Sequence, residues 1–177
     1  KVKGMFPSFI PKTDEERIQN LTKEYGEWKY QSKHQFYVTE KLDGSSATYY
    51  IKDGEFGVCS RNLELLETEG NTFWKVAREL NLEENMKATG KNISLQGELI
   101  GEGIQGNPYK IKGQTVRFFT GFNIDKYERI PFPELVVMLA DMGLQSVPVL
   151  NQEFGFMLPE TVEDMLKYAE SKSYLND

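Results

Sequence analysis

Lys41-Leu42-Asp43-Gly44 puts an amine nucleophile, a carboxylate and a turn glycine within four residues. That combination suits covalent chemistry on a nucleotide phosphate, with the amine attacking phosphorus and a cation offsetting the charge that gathers on the phosphoryl oxygens. The attack needs the neutral amine, and at the ordinary lysine pKa of ~10.4 less than about 1% is neutral at physiological pH. Such a site must lower that pKa through a nearby cation, through burial, or through a metal bound to the α-phosphate, and the metal is expected to carry the greater share. A chance Lys-x-Asp-Gly turns up in roughly 4 of 100 chains of this length, so the companions decide.

Those companions are Arg61, Glu98 and Phe122. Arg61 offers a planar donor fork that can grip phosphate, and Phe122 offers a ring on which a base can stack. Asp43 and Glu98 are oxygen ligands suited to Mg²⁺, which keeps several waters and is held by one or two carboxylates plus substrate phosphates. Singly, each residue has a plainer reading: a turn aspartate, a surface ion-pair partner, a solvated edge glutamate, one more core phenylalanine. Together they describe a nucleotide pocket.

Several elements must position these side chains. The run Phe36–Arg61 is β-rich and delivers Lys41 to the edge of a strand, and Asp53-Gly54 is the signal for a two-residue hairpin turn between strands at 47–52 and 55–60. With Lys52 opposite Glu55, extending that register puts Arg61 opposite Ser46, near the lysine. Ile93, Leu95, Gly97 and Leu99 alternate with Asn92, Ser94, Gln96 and Glu98, which predicts a strand whose polar face carries Glu98 toward a pocket. A further strand over Val116–Asp125 holds Phe118, Phe119 and Phe122. Four glycines from Gly97 to Gly106 mark a loop where backbone can approach a ligand. No parallel βαβ unit surrounds Gly101, Gly103 and Gly106, so a dinucleotide fold is not indicated.

Thr13-Asp14-Glu15-Glu16 is a capping box ahead of a first helix with Ile18, Leu21 and Tyr25. Asn71–Lys87 reads as one helix, Pro131 and Pro133 start another that Gly143 stops, and Pro159 opens a last one with Val162, Met165, Leu166 and Ala169 inward. The segment Phe6–Pro11 is extended by its prolines and packs its aromatics on the main body. The fold class is α+β, antiparallel strands with helices on their outer faces, without internal repeats.

With 177 residues, 39% of them hydrophobic, the chain can bury a real core and makes one domain, or one domain plus a remnant. No apolar run reaches the ~18 residues of a membrane span and no signal-peptide core is present, so a soluble intracellular setting is expected. Cys59 alone excludes an internal disulfide, and with His34 it is too sparse for a zinc site; both read as structural bystanders. A net charge of −6 argues against a surface-wide nucleic-acid platform while leaving room for a local basic groove. The start at Lys1 and the run-out at Ser171–Asp177 suggest a piece of a longer protein.

On these residues the chain resembles the covalent nucleotidyltransferases, the superfamily of ATP- and NAD-dependent polynucleotide ligases and mRNA capping enzymes. Glu40–Gly44 looks like motif I, Ser60-Arg61-Asn62 like motif Ia, Gly97–Gly101 like motif III and Phe118–Ile124 like motif IIIa, in the family's order. Ser46 stands where DNA ligases and capping enzymes typically carry arginine, and the resulting K-x-D-G-S pattern is similar to RNA ligases. Phe6–Glu15 and the loop Gly101–Tyr109 also look like nick-sealing RNA ligases whose adenylation domain follows an N-terminal OB module.

The resemblance implies a ligase adenylation fold, with residues 1–177 a partial adenylation domain. It further implies an OB module upstream and, downstream, motif IV (E-G-x-V) and motif V with its two lysines. It makes Lys41 the nucleophile that takes AMP from ATP, Glu40 a reader of adenine, Arg61 a phosphate-facing group, Glu98 a ribose or metal-water group and Phe122 the stack on adenine. Ser46 joins the nucleotide-binding set, and Asp43 and Glu98 hold Mg²⁺ or Mn²⁺. The implied partners are RNA ends or a nicked duplex with a 5′-phosphate and a 3′-OH, sealed weakly or not at all by this portion alone. A DNA ligase or GTP-using capping domain remains an alternative, as does a non-catalytic RNA-binding domain that retains the fold.

Overall fold

The computed structural model describes residues 1–12, 15–30, 36–150 and 156–176. In chain order the elements are β1 (Val2–Met5), α1 (Thr22–Tyr30), β2 (Ser45–Lys52), β3 (Glu55–Cys59), β4 (Leu63–Leu65), α2 (Thr72–Glu79), α3 (Leu82–Ala88), β5 (Ile93–Gly101), β6 (Gln114–Asn123), β7 (Glu128–Arg129), α4 (Phe132–Asp141) and α5 (Val162–Ala169). They fall into two compact units, one of Lys1–Lys12 with Lys41–Val147 and one of Thr13–Glu40 with Pro148–Asp177. Among the described residues no helix is long and apolar enough to cross a membrane.

The first unit is built on one seven-stranded sheet in the order β1-β4-β3-β2-β5-β6-β7, with antiparallel neighbours throughout. The expected hairpin is present: Lys52 pairs with Glu55 and Thr48 with Cys59, around a turn with Asp53 at φ 51° and Gly54 at φ 81°. Positive φ at both turn positions matches the right-handed twist of the strands. The ladder stops at Thr48↔Cys59, however, and the Ser60 N–H turns to the Leu63 carbonyl, so Arg61 sits in an exposed turn beyond the register that placed it opposite Ser46.

Alternation in β2 and β5 gives the sheet two unlike faces. Ala47, Tyr49, Ile51, Ile93, Leu95 and Leu99 join Val58, Val116 and Phe118 in a core closed by Val76 and Ala77 of α2, Leu82 and Met86 of α3 and Leu135 and Leu139 of α4. Each valine, leucine, isoleucine, phenylalanine or methionine among them contributes about 1.5–3 kcal/mol on full burial. Helices α2 to α4 thus cover this face of the antiparallel sheet, in keeping with the α+β class. On the opposite face Tyr50, Cys59, Phe122 and Ile124 are covered by Ile10, Phe6 and Phe9 of the proline-rich opening, with Phe9 edge-on to Tyr50 at 5.1 Å. Burial there pushes the Cys59 thiol up to about 12, so it is an inert core residue. His34 lies outside the described residues.

Some expected elements are different in the structure. Among the described residues the run from Phe36 forms an isolated bridge, Thr39 with Val149, and β2 begins at Ser45, after the lysine segment. The single helix over Asn71–Lys87 is two helices. Asn71 caps α2, its side chain accepting from the Trp74 N–H at 3.2 Å, while Asn81 takes a left-handed conformation (φ 51°, ψ 40°) that breaks the helical run. Helix α4 starts and stops as its prolines and Gly143 foretell.

In the second unit the Thr13 capping position lies outside the described residues, Ile18–Asn20 form a 3-10 turn, and the first α-helix begins at Thr22. Tyr25 anchors this unit, buried and donating its hydroxyl to the Pro159 carbonyl at 2.5 Å. Helix α5 is capped by Thr161. It half-buries Val162, Met165 and Leu166, while Ala169, expected inward, is exposed.

Asparagine tolerates the left-handed conformation and a β-branched residue does not. Asn81→Val should therefore destabilise the protein by about 1–2 kcal/mol while Asn81→Gly stays near neutral, as read from urea unfolding midpoints.

Candidate functional site

The polar face of the sheet is assembled by register. Ser46 of β2 lies opposite Glu98 of β5 and Thr48 opposite Gln96, while Glu98 is paired on its other side with Arg117 and Ser94 with Phe122 of β6. Ser46, Glu98 and Phe122 therefore share one face; alternation over Asn92–Leu99 predicts this for Glu98, whereas Phe122, four residues beyond Phe118 of the opposite face, reaches it through an irregularity in the ladder. A bulge between Gln96 and Gly97 shifts the β5–β6 register partway along and keeps both polar stretches on that side.

The segment Lys41–Gly44 leads into this face and is fastened to it by backbone. Leu42 is 5% exposed and plugs the segment into the unit, while Lys41 and Asp43 on either side of it are exposed. The Asp43 N–H donates to the Tyr109 hydroxyl at 2.5 Å and the next N–H, that of Gly44, donates to Glu98 Oε1 at 3.1 Å. Gly44 packs so closely on β5 that an added Cβ would lie 2.2 Å from the Leu99 carbonyl oxygen and 2.9 Å from Ile100 Cγ2. The glycine of the motif is there for this close approach.

Glu98 is half-buried, and burial is the largest cause pushing its carboxyl above the ordinary range. The Gly44 N–H works against the rise, Asp43 adds to it and Lys41 opposes it, so the two carboxylates and the amine act on one another electrostatically. Among the described residues no group of three or more His, Cys, Asp or Glu side chains converges as a metal cage. The Asp43–Glu98 pair instead fits a magnesium-type ion that draws its remaining ligands from water and a nucleotide's phosphates.

The other expected residues stand as follows. The Ser46 hydroxyl accepts from Gln96 Nε2 at 3.2 Å. Phe122 is 6% exposed and meets Tyr127 edge-on at 4.9 Å, at the apolar end of the face. Glu40 belongs to the second unit, where its N–H donates to the Pro148 carbonyl at 2.9 Å and its carboxylate accepts from the Tyr174 N–H at 3.0 Å. Sequence reasoning missed Tyr109, Gln96 and Arg117, the last half-buried with Nη1 donating to the Ser146 carbonyl at 3.2 Å. Gln96 was within reach, because it alternates in step with Glu98. No local pattern announces the partner of a loop tyrosine's hydroxyl.

A family model described as RNA ligase matches residues 34–173. No curated protein matches the chain. Among solved structures, a lysine-to-methionine variant of the Naegleria gruberi RNA ligase with AMP and Mn is similar at a TM-score of 0.91 and 41% identity, over 99% of this chain and 52% of that one. The same ligase with pyrophosphate gives 0.89 and 44%, over 99% and 52%. A variant with ATP and Mn gives 0.86 and 43%, over 94% and 50%. This chain spans about half the length of those proteins.

Gly44→Ala should cost about 1–3 kcal/mol of stability, because the methyl meets backbone rather than a side chain that can swing away; a shift in urea midpoint measures it. For Glu98 the folded-state pKa is raised, so ionisation opposes folding. Its contribution is fullest at low pH and declines as pH climbs through the unfolded and then the folded pKa. Glu98→Gln keeps an oxygen for the Gly44 N–H and removes that loss. Its Tm advantage over the native chain should widen as pH is raised from about 4 to about 7 in thermal melts.

Proposed function

This chain belongs to the RNA ligase family, and from that premise we propose that it carries the nucleotide-activating part of an ATP-dependent RNA ligase. The observation that supports this reading best is the fastening of Lys41–Gly44 onto β5, which leaves an exposed amine and an exposed carboxylate beside Glu98. Among the variants of the Naegleria ligase are substitutions of a lysine, an aspartate and a glutamate whose spacing along that chain equals the spacing of Lys41, Asp43 and Glu98.

In this reading Lys41 Nζ, as the neutral amine, attacks the α-phosphorus of ATP. A P–N bond forms, and the bond to the bridging oxygen breaks with its electron pair leaving on pyrophosphate. The amine's proton passes to solvent. A 5′-phosphate oxygen of RNA then attacks the same phosphorus and frees the lysine, leaving AMP joined to the RNA end. A 3′-OH next attacks the RNA phosphate, expels AMP and seals the strand.

Phe122 stacks on adenine, Ser46 and Arg61 contact the nucleotide, and Asp43 and Glu98 supply oxygens for a divalent cation. When bound, that cation offsets negative charge on the phosphoryl oxygens. Orientation and electrostatics account for most of the acceleration, as in phosphoryl transfer generally. The RNA-sealing steps draw on the whole protein, of which this chain matches about half in its relatives.

Label transfer from α-labelled ATP tests the reading. A weak acid-labile label is expected on the native chain and a loss of at least about 100-fold in Lys41→Ala, on the scale seen when a covalent nucleophile is removed. Equal labelling of the two proteins would overturn the nucleophile, and preferential labelling by GTP would overturn the ligase assignment in favour of a capping-type enzyme.

A further inference from the structure

We propose that the Tyr109 hydroxyl is a positioning group for Lys41, through which the loop Glu102–Gly113 sets the rate of AMP transfer to the lysine. The proposal rests on the ligase reading above and concerns a residue to which that reading assigns no role.

The loop is braced from within. The Glu102 N–H donates to the Gly113 carbonyl at 2.8 Å, closing its base, and Gln114 Nε2 donates to the Glu102 carbonyl at 2.8 Å. Asn107 bonds Ile111 both ways, its amide nitrogen donating at 2.9 Å and its amide oxygen accepting at 3.1 Å. Ile104 packs on the main core.

Gln105, Asn107 and Lys110 all hold positive φ, near 50°, a conformation that asparagine tolerates but that costs Gln105 and Lys110 free energy and persists there because surroundings impose it. Two of those three flank Pro108-Tyr109, and between them Tyr109 is turned inward to 9% exposure. The buried ring ends on the Asp43 N–H at 2.5 Å.

Asp43 and Gly44 thus present successive amides to two different elements, the loop and strand β5. The Gly44 contact sets how closely the segment lies on the sheet. The Asp43 contact sets the plane of the Leu42–Asp43 peptide, one buried residue from the nucleophile. In-line attack depends on placing the amine to within about 1 Å, and an error of that size costs on the order of 100-fold in rate. A hydroxyl that fixes a peptide plane beside the nucleophile therefore acts on rate more than on nucleotide affinity.

Tyr109→Phe keeps the buried ring and removes the hydroxyl that accepts from the Asp43 N–H. The expected result is a 10- to 50-fold slower rate constant for labelling from α-labelled ATP, with the half-saturating ATP concentration within twofold of the native chain, since misplacement at the reacting amine is felt in rate. Amide hydrogen exchange read by NMR should be about tenfold faster at Asp43 and unchanged at Gly44 and along β5. An unchanged labelling rate in Tyr109→Phe, with native labelling still dependent on Lys41, overturns this proposal and leaves the ligase reading standing. Absence of Lys41-dependent labelling in the native chain overturns both. Exchange accelerated across β5 as well as at Asp43 makes Tyr109 a general packing residue and overturns the positioning role. So does an Asp43 amide that already exchanges at the unfolded-chain rate in the native protein.

Discussion

The bare Cα of Gly44 against the Leu99 carbonyl is the constraint on which the rest of the site depends. Any side chain there would hold the lysine segment off the sheet, lengthen the Gly44 N–H to Glu98 contact and let water reach a half-buried carboxylate. With the glycine in place, one backbone amide both fastens the nucleophile's segment and satisfies the acid that faces it. Lys41 keeps an exposed side chain next to a backbone held at Asp43 and Gly44, which is the combination an attacking group needs.

Much of this was legible from local pattern. Alternation over Asn92–Leu99 predicted which face Glu98 takes, because a strand has a period of two and the apolar side must be buried. Asp53-Gly54 gave the hairpin and its register for a similar reason: only certain residues accept positive φ at both turn positions. Pro131, Pro133 and Gly143 bounded α4 through backbone preferences that need no knowledge of the neighbours.

What the pattern left unread depends on partners distant in sequence. Phe36–Glu40 has β-type residues, and among the described residues it forms one isolated bridge, at Thr39, because strand propensity needs a partner to become a ladder. The apolar stripe over Asn71–Lys87 ran through Asn81 without a proline or glycine to flag the break. Extending the hairpin register to Arg61 assumed that pairing continues, whereas Ser60 turns away to close on Leu63. Tyr109 reaches Asp43 across 66 positions of chain, and a bond of that kind is set by loop folding that no short window contains.

The β2–β5 ladder joins foldedness and competence in a single choice. Both faces of β5 are specified, one apolar and one polar, and the period is two, so a strand paired one residue out of step would present Leu99 where Glu98 stands and press Glu98 into the helices. Such a chain would lose its core and its acid together. A population of this protein that has paired its central strands correctly has, by the same act, built the floor beneath its lysine. Misregistered molecules are thereby sorted out by instability before they can bind a nucleotide wrongly.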